Sequence, residues 1–374
     1  MLFADSETQK LLRDTARSFL RDRYPWERLY DLERGRAQLS ASDLSEFARL
    51  GWLGLTAPES AGGGGASLLE AAIVIEEMGY AGVPSPVNVA SVAAYLLASA
   101  QSSEAETHLR DLSSGSRLYT VSESSRQADN RAERARKAPP LQLNGGRLSG
   151  VLSLVPFGMA ADCVLAPVSA DGTDAFAAIP LDGANREPVM VLDRADYARV
   201  EFDALPSEPV VVLAEGPAAE ELHERCDALS TAFGTIELAG LMQRVTEMTA
   251  EYISNRVQFG QPIAKFQAAR HHAADMLMQT QTARWTAYHA LAHFEADQEN
   301  THEVWLAKHW AVRASQTVFE LAHLLHGGVG VGTEYPLHLL TQGVAAWAVR
   351  AGDLNEMVGR INGSLGLFGA RSAA

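Results

Sequence analysis

Cysteine is nearly absent: Cys163 and Cys226 are the only two in 374 residues. They form no Cys-x-x-Cys pair, so neither a disulfide framework nor a structural zinc site is supported, and a reducing compartment is expected. Basic side chains are in deficit, with 31 Lys and Arg against 46 Asp and Glu and a formal net charge of -15. A nucleic-acid surface and an anchor on anionic lipid are therefore not expected, although a local basic pocket could still take an anionic ligand. No apolar run approaches the roughly 18–20 residues that cross a bilayer. The amphipathic first stretch carries Asp5, Glu7, Lys10 and Arg13, which interrupt any signal-peptide core. The expectation is a cytoplasmic protein with neither membrane nor nucleic acid as partner. What is abundant is apolar residue content, 47%, too much for a disordered chain and spread over a length that suits two or three cores.

Apolar residues recur at helical steps from Asp5 to about Ala100, as in Leu11, Leu12, Ala16, Phe19 and Leu20. A glycine-rich loop around Gly62, Gly63, Gly64 and Gly65 punctuates this region before a second helical run over 68–80, which Pro84 and Pro86 break. Between about 117 and 213 the texture changes to short apolar and β-branched runs, 118–122, 163–168 and 210–213 among them, separated by Asp-Gly, Gly-Gly and Asn-Gly turn signals. The charged segment 125–137 reads as a solvated loop. Helical periodicity then returns over 217–256, 264–296, 302–325 and 337–362. The order is helices, strands, then four long helices, with no internal repeat. It predicts a helical domain over 1–115, a β domain over 116–214 and a helical bundle over 215–374.

Three motifs sharpen this. Asn255-Arg256-Val257-Gln258-Phe259-Gly260-Gln261-Pro262 is followed by His272, Ala274, Asp275 and Met276. Leu325-His326-Gly327-Gly328-Val329-Gly330-Val331-Gly332-Thr333-Glu334-Tyr335-Pro336 comes later, and Leu50-Gly51-Trp52-Leu53-Gly54-Leu55 runs into Pro58-Glu59 and the glycines. By residue chemistry, Arg256 at a helix end offers a fork of donors suited to a phosphate or a diphosphate, or to a surface ion pair. Gly327, Gly328 and Gly330 permit close backbone approach by a ligand, or simply a turn between helices.

Taken together, the three motifs resemble the acyl-CoA dehydrogenase family. The resemblance implies a mainly α fold with a central, β-barrel-like domain and a C-terminal four-helix bundle. It implies FAD as cofactor, an acyl-CoA substrate and an electron-transfer flavoprotein as electron acceptor. It also implies that Arg256 and Phe259 reach the adenosine-diphosphate half of FAD across a subunit interface. Gln258, Gly327, Gly328 and Gly330 are carried over to the same site, and Ser122 falls where the family sets a hydroxyl against the flavin ring. The sequence departs from the family at 124–129, where the expected Pro-Gly and Gly-Ser-Asp pattern is missing, and at Leu324, where a Gln is usual. Because the family's FAD site is shared between subunits, the expected assembly is a homo- or heterotetramer, or a dimer.

Dehydrogenation of a thioester needs a carboxylate to take the α proton on the face opposite the hydride acceptor. The family's two usual positions for it fall here on Ala351 and Ser230. Glu237 is the candidate for a relocated base. It shares a helix face with Ser230, Phe233 and Leu241, about 10 Å beyond Ser230, among apolar neighbours; a structural, paired Glu is the alternative, and Asp353 is a weaker candidate base. Related bacterial subfamilies acting on bulky, steroid-like thioesters are similar in this respect. Two functions follow. One is a dehydrogenase forming an α,β double bond in a branched, cyclic or steroid side-chain acyl-CoA. The other is a non-catalytic partner subunit of a heterotetramer. His271, His272 and Asp275 do not predict a metal site, since adjacent imidazoles point to different helix faces.

Overall fold

Ser6 starts the first helix: its hydroxyl accepts from the Gln9 amide, and the Gln9 side chain accepts from the Ser6 amide in return. This reciprocal cap satisfies two donors that the helix leaves open. The computed structural model describes residues 5–34, 41–100, 102–122, 141–192, 196–296, 301–349 and 354–365. The helical periodicity before residue 100 is realised in α1 (Glu7–Arg23), α2 (Trp26–Glu33), α3 (Ala41–Arg49), α4 (Leu68–Ala81) and α5 (Pro86–Ser99), followed by α6 (Ser103–Ser114). Pro86 opens α5, at a position where its missing N–H costs nothing, and the Ser85 hydroxyl caps the helix by accepting from Asn88.

The runs with turn signals become one eight-stranded sheet of β1 (Tyr119–Val121), β2 (Leu141–Asn144), β3 (Arg147–Pro156), β4 (Cys163–Ala170), β5 (Thr173–Pro180), β6 (Asn185–Pro188), β7 (Tyr197–Pro206) and β8 (Val211–Glu215). The order is β6-β7-β3-β2-β4-β5-β8, with β1 also on β4. β1 and β2 both run parallel to β4, β1 against Cys163 to Leu165 and β2 against Val168 to Ala170. The six residues Cys163 to Val168 are all buried, which explains why this strand reads as a continuous apolar run rather than an alternating one.

Beyond the sheet come α7 (Pro217–Asn255), the two-stranded hairpin of β9 (Val257–Gln258) and β10 (Gln261–Pro262), α8 (Gln267–Ala296), α9 (His302–His326), the single turn α10 (Gly328–Val331), α11 (Leu337–Val349) and α12 (Leu354–Leu365). The helical run expected over 337–362 is described as α11 and α12; residues 350–353 between them lie outside the described residues.

The chain divides into two units, each assembled from separated segments. One comprises Met1–Arg36, Ala72–Pro84 and Thr231–Ala374, the other Ala37–Ala71 and Ser85–Ser230. The first has a core built on Leu238, Met242, Val245, Met276, Ala311, Val318, Leu340 and Trp347. In it α4 crosses α7 at backbone contact. A Cβ on Gly79 would stand 2.1 Å from the Glu237 carbonyl oxygen, and one on Gly240 would stand 2.1 Å from that of Glu76. Every residue of α7 from Cys226 to Met242 is buried, so this helix is enclosed on all sides rather than along one stripe.

The same unit contains a buried charge network. Glu76 and Glu77, 4% and 1% exposed, interrupt the apolar face of α4. Glu77 accepts a two-pronged contact from Arg17, at 2.7 and 3.0 Å, and a further bond from Arg13 at 2.9 Å. Glu76 accepts from Arg13 at 2.7 Å, from the Tyr288 hydroxyl at 2.7 Å and from both Nε and Nη2 of Arg284. Burial alone would push the Glu76 carboxyl up, but Arg13 and Arg284 outweigh it and hold the group below the usual carboxylate range.

Candidate cofactor site

The end of α7 is fixed by its backbone. The Arg256 amide donates to the Tyr252 carbonyl at 2.8 Å, and the Arg256 carbonyl accepts from Ile263 at 2.9 Å. The main chain at Arg256 is therefore pinned between α7 and the hairpin, while its side chain is exposed. In that hairpin Gln258 pairs with Gln261, which leaves Phe259 and Gly260 as a two-residue turn with φ of 53° and 78°. Two positive φ values are what a tight hairpin of type I′ requires. Gly260 adopts this freely, whereas Phe259 pays about 1–3 kcal/mol of backbone strain for it. Its ring is 92% exposed, with an edge-on contact to Phe266 at 6.1 Å. Gln258, also exposed, turns its amide back to the Val257 carbonyl at 2.8 Å.

The glycine turn follows α9. Gly327 has φ 57° and ψ −140°, a region that only glycine occupies comfortably. A Cβ on Gly327 or Gly328 would meet nothing within 4 Å, so both face open space. Gly330 differs, because a Cβ there would stand 2.8 Å from that of His326. Packing within the turn thus accounts for its missing side chain.

The hairpin and the turn are joined by an aromatic stack. Tyr252, one helical turn before Arg256, stacks on His326 with centroids 4.3 Å apart, and its hydroxyl donates to the His326 carbonyl at 3.4 Å. His326 must donate from Nδ1 to the Ala322 carbonyl at 2.8 Å, which leaves Nε2 to accept from the Tyr335 hydroxyl at 3.3 Å. Burial pushes the His326 pKa down, so the ring stays neutral in this tautomer. Beside the stack lies a cleft of about 550 Å³ lined by Trp26, Arg244, Glu251, Tyr252, Arg256 and Tyr335 among others, so that one carboxylate stands with the two guanidinia. The Arg244 guanidinium lies 5.1 Å from the Trp26 ring and donates to the Tyr80 hydroxyl at 3.2 Å. Two guanidinia and several ring faces suit a ligand that has phosphates and a flat aromatic group. The stack and Arg244 escape a reading based on motifs. Their sequence signal is the spacing of Tyr252 and Arg256, four residues apart and so on one helix face.

Ser122, in the other unit, follows β1, and its amide donates to the Leu165 carbonyl at 2.9 Å. The residue is 0% exposed and its hydroxyl has no hydrogen-bond partner among the described residues. A buried hydroxyl without a partner is costly, and a polar ring atom of a bound cofactor would satisfy it. Ser230, the last residue of that unit, likewise has a buried hydroxyl without a partner. Glu237 is 6% exposed, in the fully enclosed part of α7. The departure at 124–129, Ala351 and Asp353 lie outside the described residues. Within one unit, the exposed guanidinium of Arg256 and the open backbone at Gly327 and Gly328 fit the diphosphate of a flavin dinucleotide.

The acyl-CoA dehydrogenase N-terminal domain family matches residues 6–116 and the C-terminal domain family residues 231–365. Acyl-CoA dehydrogenase FadE27 of Mycobacterium tuberculosis is 31% identical over 324 residues, 83% of this chain and 82% of that protein. Among solved structures, the ChsE4-ChsE5 complex from Mycobacterium tuberculosis has a chain that superposes with a TM-score of 0.85 at 25% identity, covering 99% of this chain and 100% of that one. A variant of the Tcur3481-Tcur3483 steroid ACAD also gives a TM-score of 0.85 at 25% identity, over 96% of this chain and 98% of that one. No helix among the described residues is long and apolar enough to cross a membrane. The open glycine turn, the hairpin beside it and matches across both helical segments have one reading: the chain belongs to the acyl-CoA dehydrogenase family, FAD-dependent oxidoreductases that act on the CH–CH bond of an acyl-CoA.

Proposed function

We propose that the protein introduces an α,β double bond into a bulky, steroid-like acyl-CoA in the cytoplasm and passes electrons to an electron-transfer flavoprotein. The observation that carries this reading is the Tyr252–His326 stack, which draws the Arg256 hairpin and the open Gly327 turn to one end of their unit. Arg256 would hold the diphosphate of FAD, Gly327 and Gly328 would admit it against the backbone, and Phe259 would cover the adenine half in an assembled oligomer. Gln258 and Gly330 belong to the same stretch of the proposed site, Gly330 by shaping the turn. FAD, when bound, supplies the hydride acceptor. The Ser122 hydroxyl would donate to the ring. Glu237 would take the α proton, its burial keeping water from competing for that proton. The bulky acyl chain is proposed from the steroid ACAD to which the chain is similar.

Two expected outcomes test these assignments. Glu237→Gln should retain FAD yet abolish bleaching of its absorbance on addition of an acyl-CoA; full bleaching in the variant would remove Glu237 from the mechanism. Phe259→Asn, with a residue tolerated at positive φ, should raise stability by about 1 kcal/mol in denaturant titration while FAD dissociates faster. Unchanged FAD retention would place Phe259 outside the site.

A second reading has its own support. Ser230 occupies one of the positions where the family keeps its base, and a structural relative is a complex of two different chains, ChsE4 and ChsE5. On this reading the chain is the non-catalytic partner in a heterotetramer with a homologous subunit. It would purify colourless alone and acquire FAD on coexpression with that homologue.

A further inference from the structure

We propose that His289 and His293 on α8, with Glu303 on α9, form a binding site for a divalent transition-metal ion of the zinc, nickel or copper class. The spacing of four residues puts both imidazoles on one face of α8, with ring centroids 4.2 Å apart. Glu303, in the first turn of the neighbouring helix, completes a set in which one donor atom from each side chain lies within 4.8 Å of the others. His289 Nε2 and Glu303 Oε2 are 3.2 Å apart. Two ligands of a tetrahedral centre with bonds of about 2.0–2.1 Å stand about 3.3 Å apart, so this edge already has the right length.

The ordinary explanation for that distance is an ion pair between a protonated His289 and Glu303. It accounts for two of the three groups and gives His293 nothing to do, while bringing a second imidazole against the first. A cation shared by all three gives each a role. Two imidazoles and one carboxylate favour zinc, nickel and copper over magnesium and calcium, which prefer oxygen. All of these side chains are partly exposed, so an ion can enter from solvent. His271 and His272 cannot build an equivalent site, because neighbouring residues diverge around a helix.

The ion would have a mechanical role. It ties the C-terminal half of α8 to the first turn of α9, closing the helical hairpin at the end where the chain reverses. Because it binds the folded hairpin and not the unfolded chain, it raises stability in proportion to its occupancy. This inference is independent of how FAD is bound.

The test uses the full chain without a polyhistidine tag, stripped with chelator and titrated with zinc sulfate by calorimetry. One ion per chain is expected, with a Kd on the order of micromolar, together with a rise of several degrees in the melting midpoint. His289→Ala/His293→Ala should weaken zinc at least tenfold and lose the rise, with circular dichroism confirming the fold; His271→Ala/His272→Ala should bind like the parent chain. Nickel chloride should reproduce the zinc result and millimolar magnesium should not. The proposal is overturned if the parent chain shows no saturable zinc binding, if the His289→Ala/His293→Ala protein binds as tightly as the parent, or if magnesium produces the same rise.

Discussion

Glu76→Ala is expected to destabilise the protein by about 3–5 kcal/mol, enough to lower the melting midpoint by roughly 5 °C. The carboxylate is almost fully enclosed and accepts hydrogen bonds from Arg13, Arg284 and Tyr288. Removing it leaves the Arg284 guanidinium buried beside Arg13 without the anion that both were paired with, and an unpaired buried charge costs more than the pair contributes. Glu106→Ala serves as the contrast. Its partner Arg110 is at the surface, one helical turn away, and a solvated pair of this kind contributes about 0–1 kcal/mol. Thermal denaturation of both variants separates the cases, and equal midpoints would contradict the account of the network. The pH dependence has a definite sign. The folded-state pKa of Glu76 lies below its ordinary value of 4.5. Its contribution is therefore complete above that pH and is lost as pH falls through the folded value.

This network also shows where sequence reading stops. Glu76 and Glu77 are visible in the sequence as two acids inside an apolar helix, which is a signal of burial with partners. The partners are 63 and 208 residues away from Glu76, however, and no local pattern connects them. The helices and the sheet are legible because periodicity is local: 3.6 residues per turn on one side, and short β-branched runs with turn residues on the other. Arg256 and Gly327 are legible because a helix end and a bare turn leave signatures within a few residues. The reading of Glu237 as an acid on an apolar stripe distinguishes less than it promised, since α7 is buried on all sides over that span and a helix without a wet face has no stripe. The glycines after His326 look alike in sequence. Only the fold separates Gly327 and Gly328, which face open space, from Gly330, which is packed against His326. The His289, His293 and Glu303 cluster escapes sequence inspection for the same reason as the Glu76 network, because its third member comes from another helix.

The second large effect concerns the cofactor. Arg256→Gln removes a guanidinium whose backbone is fixed by Tyr252 and Ile263 and whose side chain is exposed. The fold should tolerate the change, since no described hydrogen bond or ion pair depends on that side chain. A charged donor on a diphosphate contributes about 2–3 kcal/mol, so the loss should weaken FAD roughly 30- to 150-fold. The central claim is that the hairpin at Arg256 and the turn at Gly327 are two halves of one dinucleotide cradle. It is tested most directly by titrating FAD, through quenching of its fluorescence, into the apoprotein of the parent chain and of Arg256→Gln, each in its native assembly. The account predicts saturable binding by the parent and a Kd raised by that factor in the variant at unchanged melting temperature. The same Kd in both would contradict it.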